Sequence, residues 1–314
     1  MATISFLGNF KFSFSSETHH AESLKSLGHK VIKLQERKNS SQDILNAAMK
    51  SDLFIWVHTH GWETPGEIGM DIVLHQLKSN NVPTITYHLD LWLGLERQKD
   101  LEKDPIYKNI DHFFTVDEQM AKWFNEKTSV RGHYIPAGVY DKECYYNSTA
   151  KRFDVIFVGS KGYHPEWPYR PKLIEWLSNT YQKRFRHYGG DGLGPMRGDQ
   201  LNALYSKTKV VVGDTLCPGF GYPSYWSDRV YETLGRGGFL IHPYIKGMEK
   251  EFKDKEHLVF YEYNNFQQLK ELIDYYLEHE EEREKIRASG HSLVKNNYTY
   301  KHRWKQILGE LGIE

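Results

Sequence analysis

Within residues 224–238, SYWSDRVYETLGRGG, a guanidinium and a carboxylate stand three positions apart, on Arg229 and Glu232. At that spacing two side chains share one face of a helix. A fork of N–H donors matches the oxygens of a phosphate, and a carboxylate accepts from two vicinal sugar hydroxyls at once. The pair therefore reads as the anchor of a nucleoside-diphosphate pocket. Read singly, Glu232 is equally a helix-start glutamate stabilised by the macrodipole, and Arg229 an ion-pair partner for Asp228 or a nearby helix.

The elements around the pair fit a binding role. An apolar strand pattern, Lys209-Val-Val-Val-Gly213, precedes it, and the glycines Gly237 and Gly238 close the helix before a new apolar run to His242. In open α/β sheets ligands bind beyond the carboxyl ends of the strands. The same alternation of short β-branched runs and longer amphipathic segments fills the chain, which is the pattern of parallel βαβ units. Strands are expected at 3–7, 30–34, 53–57, 84–87 and 112–115, with helices at 16–27, 41–50, 69–80 and 117–126. After a poorly patterned stretch, strands are expected at 154–158, 184–188, 209–212, 238–242 and 257–261. Helices there are expected at 172–181, 198–206, 228–234, 247–252, 266–279 and 281–296. This divides the chain into two α/β domains, 1–150 and 151–314.

At 314 residues two domains are the ordinary expectation. Lys+Arg and Asp+Glu balance at 41 each, so no global field favours nucleic acid or an anionic membrane. Two cysteines far apart, Cys144 and Cys217, argue against a disulfide framework or a cysteine zinc site. The start, MATISFLGNF, reads as a strand rather than a signal peptide, and no apolar run is long enough to span a bilayer. A cytoplasmic location is expected.

Several motifs together resemble the GT-B glycosyltransferases, and among them the spore-maturation, CgeB-like branch. They are Asp154-Val-Ile-Phe-Val-Gly-Ser160, Tyr188-Gly-Gly190, Ser227-Asp-Arg-Val-Tyr-Glu232 and Arg236-Gly-Gly-Phe-Leu240, with the tail from Leu269-Lys-Glu-Leu to Tyr298-Thr-Tyr-Lys-His-Arg303. In the first half the likeness rests on Glu22 to Leu27-Gly-His-Lys-Val31 and on Ile135-Pro-Ala-Gly-Val139. The resemblance implies two Rossmann-like, doubly wound domains facing across a cleft, with the acceptor on the first, a nucleotide-sugar donor on the second, and the last helix packing back on the first. It places Glu232 on the donor ribose and Ser227 and Arg229 beside the diphosphate. Gly159, Ser160 and Lys161 form a loop whose N–H groups can approach a phosphate. Lys161 and Arg170 are candidate phosphate cations, and Tyr188 and Gly189 begin a turn that can wrap the base or ribose.

On the first domain, Gly8-Asn-Phe-Lys-Phe-Ser13 is a further donor-contacting loop. His58-Thr-His60-Gly-Trp62-Glu63 and Tyr87-His-Leu-Asp90 bring polar groups to strand ends. His88 and Asp90 are the candidates to orient the acceptor or act as base. His58 and His60 lack a third ligand, so no metal site is expected. One position departs from the retaining enzymes of the fold: eight residues before Glu232, where many carry a second glutamate, stands Ser224. This shifts the weight of catalysis toward Arg229.

The expected activity is sugar transfer from a nucleoside-diphosphate sugar, uridine before guanosine, with retention and without a metal or other cofactor. The acceptor, whether glycan, protein, lipid or modified nucleic-acid base, is not legible. Aromatic loops at 163–170 and 218–226 are candidate stacking surfaces. A non-catalytic nucleotide-sugar binder and another enzyme on the same scaffold, such as an epimerase, are the rival readings.

Overall fold

A computed structural model of the chain describes residues 1–57, 65–66, 68–90, 105–162, 168–215 and 221–313. These fall into two compact units, Met1–Pro136 with Tyr300–Glu314, and Ala137–Thr299.

In unit 1 the strands are β1 (Thr3–Gly8), β2 (Lys30–Gln35), β3 (Leu53–Trp56), β4 (Thr84–His88), β5 (His112–Thr115) and β6 (Arg131–Tyr134). They form a parallel sheet in the order β2-β1-β3-β4-β5-β6. The helices are α1 (Ser16–Ser26), α2 (Ser41–Ala48), α3 (Met70–Ser79), α4 (Ile106–Asn109) and α5 (Glu118–Lys127). Strand β3, Leu-Phe-Ile-Trp, is buried along its whole length because helices cover both faces of a parallel sheet. Side-chain caps from Ser15, Ser40 and Asp117 start three of the helices, Ser40 in a reciprocal pair with Asp43. One core of the unit gathers Phe54, Trp56, Leu74, Leu77, Phe113 and Phe124. Strand β6 was not expected from sequence. It is Arg-Gly-His-Tyr on the sheet edge, exposed at Arg131 and half-buried at the other three, and it carries no apolar run to read.

Unit 2 contains β7 (Phe153–Val158), β8 (Phe185–Tyr188), β9 (Thr208–Val212), β10 (Leu240–Pro243) and β11 (Val259–Tyr261). Their order is β11-β10-β9-β7-β8, again parallel. Its helices are α6 (Tyr169–Tyr181), α7 (Gly198–Ser206), α8 (Arg229–Gly235), α9 (Phe266–Glu278) and α10 (Glu280–Asn297). The first strand, β7, lies between the second and the third. Strand addition therefore reverses between β7 and β9, and a crevice opens at their carboxyl ends.

The chain passes to unit 2 after Pro136. The stretch that looked unpatterned is fastened there: Asn202 Nδ2 donates to the carbonyls of Glu143 (2.9 Å) and Tyr145 (2.7 Å), and Arg236 pairs with Glu143. Val139 N–H donates to Tyr298 O at 3.1 Å, and Val139 bridges Thr299. That extended contact ends α10. Beyond it, α11 (Tyr300–Glu310) belongs to unit 1, with Trp304 and Ile307 fully buried.

The helix expected at 247–252 is a correction. Only one 3-10 turn forms, Met248–Lys250, after Gly247 in the left-handed region at φ 105°. Two i→i+3 bonds close it, and the chain then leaves at the buried Phe252.

Candidate functional site

The carboxyl ends of β7, β8 and β9 meet the start of α8 in unit 2. Strand β7 delivers Val158 to Gly159, whose φ of +152° suits glycine. Gly159 N–H donates to Tyr188 O at 2.7 Å, and Gly159 O accepts from His187 Nε2–H at 2.6 Å. Because a carbonyl only accepts, His187 carries its proton on Nε2. A Cβ at Gly189 would lie 2.4 Å from Gly159 O, so the ends of β7 and β8 abut only because residue 189 is glycine.

Arg229, the first residue of α8, lies against this junction. Its Nη1 donates to Val158 O, and a Cβ at Gly159 would stand 2.9 Å from Nη1. Its Nε is buried without a hydrogen-bond partner among the described residues. Burial opposes the charge, but Glu232, Tyr205, Asp228 and Asp214 together outweigh it and hold the guanidinium above its ordinary pKa. Arg229 is a fixed cation at a strand end. Glu232, one turn on and half-buried, has no hydrogen-bond or ion-pair partner for its carboxylate among the described residues. Ser227 readies the helix start: its Oγ accepts from Arg229 N–H (3.3 Å) and donates to Asp228 Oδ1 (3.0 Å), while its own N–H donates to Thr215 Oγ1 (3.1 Å).

Arg170 is differently engaged. Its Nε–H is shared by both oxygens of Asp214, at 3.1 and 2.8 Å, and Nη1 donates to Ser160 O at 3.3 Å. The two side chains are 9% and 1% exposed, a buried ion pair that straps the β7 loop to the end of β9. Asp214 was missed in the sequence, although an aspartate two residues beyond a strand end was there to be read. The Lys161 side chain is exposed, and its N–H, with that of Gly162, is taken by Asp191. Tyr188 is buried.

Ser224 explains its own departure. It is 5% exposed and left-handed at φ 62°, its N–H donates to Lys246 O at 2.8 Å, and its Oγ lies 2.8 Å from where a Cβ on Gly247 would be. The backbone there has closed around a small residue.

In unit 1, Gly8 ends β1 with its carbonyl accepting from Glu36 N–H at 3.1 Å. His88 ends β4, buried, with Nδ1–H donating to Asp90 O at 3.0 Å. That leaves Nε2 as the ring's basic nitrogen when the ring is neutral. Asp90 is half-buried. The group from His58 to Glu63 and Cys217 lie outside the described residues, and the aromatic loops at 163–170 and 218–226 straddle their limits. Among the described residues no three His, Cys, Asp or Glu are grouped to hold a metal ion, and no helix is long and apolar enough to cross a membrane.

Comparison with known proteins gives this geometry a context. No curated protein sequence matches the chain. Solved structures match it end to end at low identity. HepE of Anabaena in complex with UDP-glucose is 11% identical, with 99% of this chain and 100% of that one covered and a TM-score of 0.68. Sucrose-phosphate synthase of Thermosynechococcus elongatus is 12% identical, with 99% and 98% covered and a TM-score of 0.65. An alpha-glucosyltransferase in complex with UDP-glucose and DNA containing an abasic site is 12% identical, with 99% of each chain covered and a TM-score of 0.68. At such identities the likeness is one of fold, and the fold is GT-B. The family model for glycosyl transferase-like proteins matches residues 152–309, half of the chain and nearly all of unit 2. The strand-end cation and the carboxylate of α8 thus stand inside the matched region, and the chain belongs to the glycosyl transferase-like family, a glycosyltransferase of GT-B fold.

Proposed function

We propose that the protein transfers a sugar from a UDP-sugar to an acceptor hydroxyl, with the donor held by unit 2. The observation that carries this is the Glu232 carboxylate, half-buried and unpartnered among the described residues, one helical turn from a fixed Arg229 at the β7–β9 crevice. Glu232 would accept from the ribose hydroxyls. Arg229, with the amides of Ser160 and Lys161 on the turn that Gly159 allows, would stabilise the departing diphosphate. Tyr188 and Gly189 would border the base, and Ser227 would keep the start of α8 in register. Arg170 would act through its strap to Asp214 and Ser160.

The UDP preference, with GDP second, draws support from HepE and the alpha-glucosyltransferase, both solved with UDP-glucose. We assign the chain to the CgeB-like branch on its motifs, with retention of configuration and a cytoplasmic setting. Metal independence follows from giving Arg229 and the amides the diphosphate charge. On unit 1, Gly8 would serve the donor, and Asp90 and His88 Nε2 would orient the acceptor hydroxyl.

A thermal-shift series over UDP, GDP, ADP and their sugars, with and without EDTA, tests the reading. Binding to the folded state raises the melting temperature, with about 2.7 kcal/mol of stabilisation at a hundredfold excess over Kd. UDP compounds should give the largest shift, unchanged by EDTA. No shift with any of them at millimolar concentration rejects the donor site.

A further inference from the structure

The loop after β7 already holds an anion, and the chain itself supplies it. Asp191 accepts from Lys161 N–H through both carboxylate oxygens, at 3.0 and 2.7 Å, and from Gly162 N–H at 3.3 Å. Two successive amides beyond the first strand of an open sheet, at its topological switch point, are where a donor phosphate would be received. A carboxylate and a phosphate cannot both occupy them: each amide has one proton to give, and two anions at contact distance repel.

The build of Asp191 suits temporary occupancy. Its backbone is pinned in a closed turn, where Gly189 N–H donates to Gly194 O (3.1 Å), Gly194 N–H to Gly189 O (3.2 Å) and Leu193 N–H to His187 O (2.9 Å). Its side chain is 43% exposed, so leaving the amides needs side-chain rotation and no movement of the turn. Among the described residues only His187, 3.9 Å from Oδ1, stands in ion-pair range. A groove of about 580 Å³ lined by Lys161, Arg186, His187 and Asp191 adjoins the loop and gives a displaced carboxylate room and cations to turn toward.

We infer that Asp191 is a built-in stand-in for the donor phosphate, holding the Lys161 and Gly162 amides aimed at an anion in the free protein and yielding them to the diphosphate. It rests on the donor reading of unit 2. Asp191 is then a positioning residue that also competes with its ligand. After transfer its return to the amides helps to expel the nucleoside diphosphate.

Calorimetric titration of the full-length wild type, Asp191→Ala and Asp191→Asn with UDP and with uridine tests it. Removing the competing charge should tighten UDP binding about fivefold or more in the alanine variant and about threefold in the asparagine variant, with uridine unaffected. If the alanine variant does not fold, the near-isosteric asparagine variant decides. UDP affinity equal to or weaker than wild type in the folded variants, or a matching change for uridine, overturns the inference and makes Asp191 a plain brace of the loop. No UDP binding by any of the three proteins rejects the donor reading itself, and this inference with it.

Discussion

Arg229 donates through Nη1 to the main-chain carbonyl of Val158, so the first cation of α8 is fixed to the last residue of β7. A charge held this way costs no reorganisation when a diphosphate departs beside it. Lysine keeps the charge but loses the fork that, on the proposed reading, would serve carbonyl and diphosphate together. Arg229→Lys should lower kcat for sugar transfer about 100-fold, with KM changed about threefold or less, as read from steady-state kinetics.

Gly159 makes that contact possible. Alanine there meets a φ of +152° and places Cβ 2.9 Å from Arg229 Nη1. Gly159→Ala should cost about 1–3 kcal/mol in urea unfolding and displace Arg229, so that activity falls further than stability alone explains. Gly162→Ala is the control: among the described residues nothing lies within 4 Å of its added Cβ, and stability should stay within about 0.5 kcal/mol.

The Arg170–Asp214 pair should be structural in energy. Arg170→Met strands a carboxylate that is 1% exposed and should destabilise by about 3–5 kcal/mol. Adding Asp214→Leu to it should recover part of that loss, since two apolar groups need no partner. Equilibrium denaturation of Arg170→Met, Asp214→Leu and the double variant checks the cycle.

His20 sets an acid limit in unit 1. It is 2% exposed, stacks on Tyr300 at 3.9 Å, and accepts at Nδ1 from Trp304 Nε1–H at 3.1 Å. Burial first, then the neighbouring His19, lowers its pKa to about 3. The unfolded ring protonates near 6.5, so between those values the unfolded chain binds more protons. Stability from this site is full above 6.5 and is lost as pH falls toward 3, with about 2 kcal/mol gone by pH 5. Asp117, pushed up to about 6 chiefly by burial, runs in the opposite sense, so the comparison must be with His20→Gln at each pH. The stability gap between wild type and variant should narrow as pH falls from 7 to 5; a constant gap removes His20 as the cause.

Most strands and helices were legible because buried parallel strands carry apolar runs, along the whole of β3 and over the last three residues of β9. What escaped was polar or long-range. Edge strand β6 has no apolar run, and α11 is separated from α10 by a contact from Val139 that no local pattern announces. The spacing of Arg229 and Glu232 marked a helix, and α8 does begin at Arg229. The partners of Arg170 and Lys161, Asp214 and Asp191, come from loops after other strands, and only the sheet order brings them there. Ser224 was visible as a departure, while its cause, a left-handed backbone closed against Gly247, was not.

On the proposed reading, the Arg229–Glu232 face of α8 holds a nucleoside diphosphate. Titrating UDP into the wild type and Glu232→Ala by calorimetry, with circular dichroism of both, tests it most directly. The wild type should bind UDP, and the variant about tenfold or more weakly through loss of the ribose contact, with unchanged spectra. UDP binding that is equally tight without the Glu232 carboxylate would contradict it.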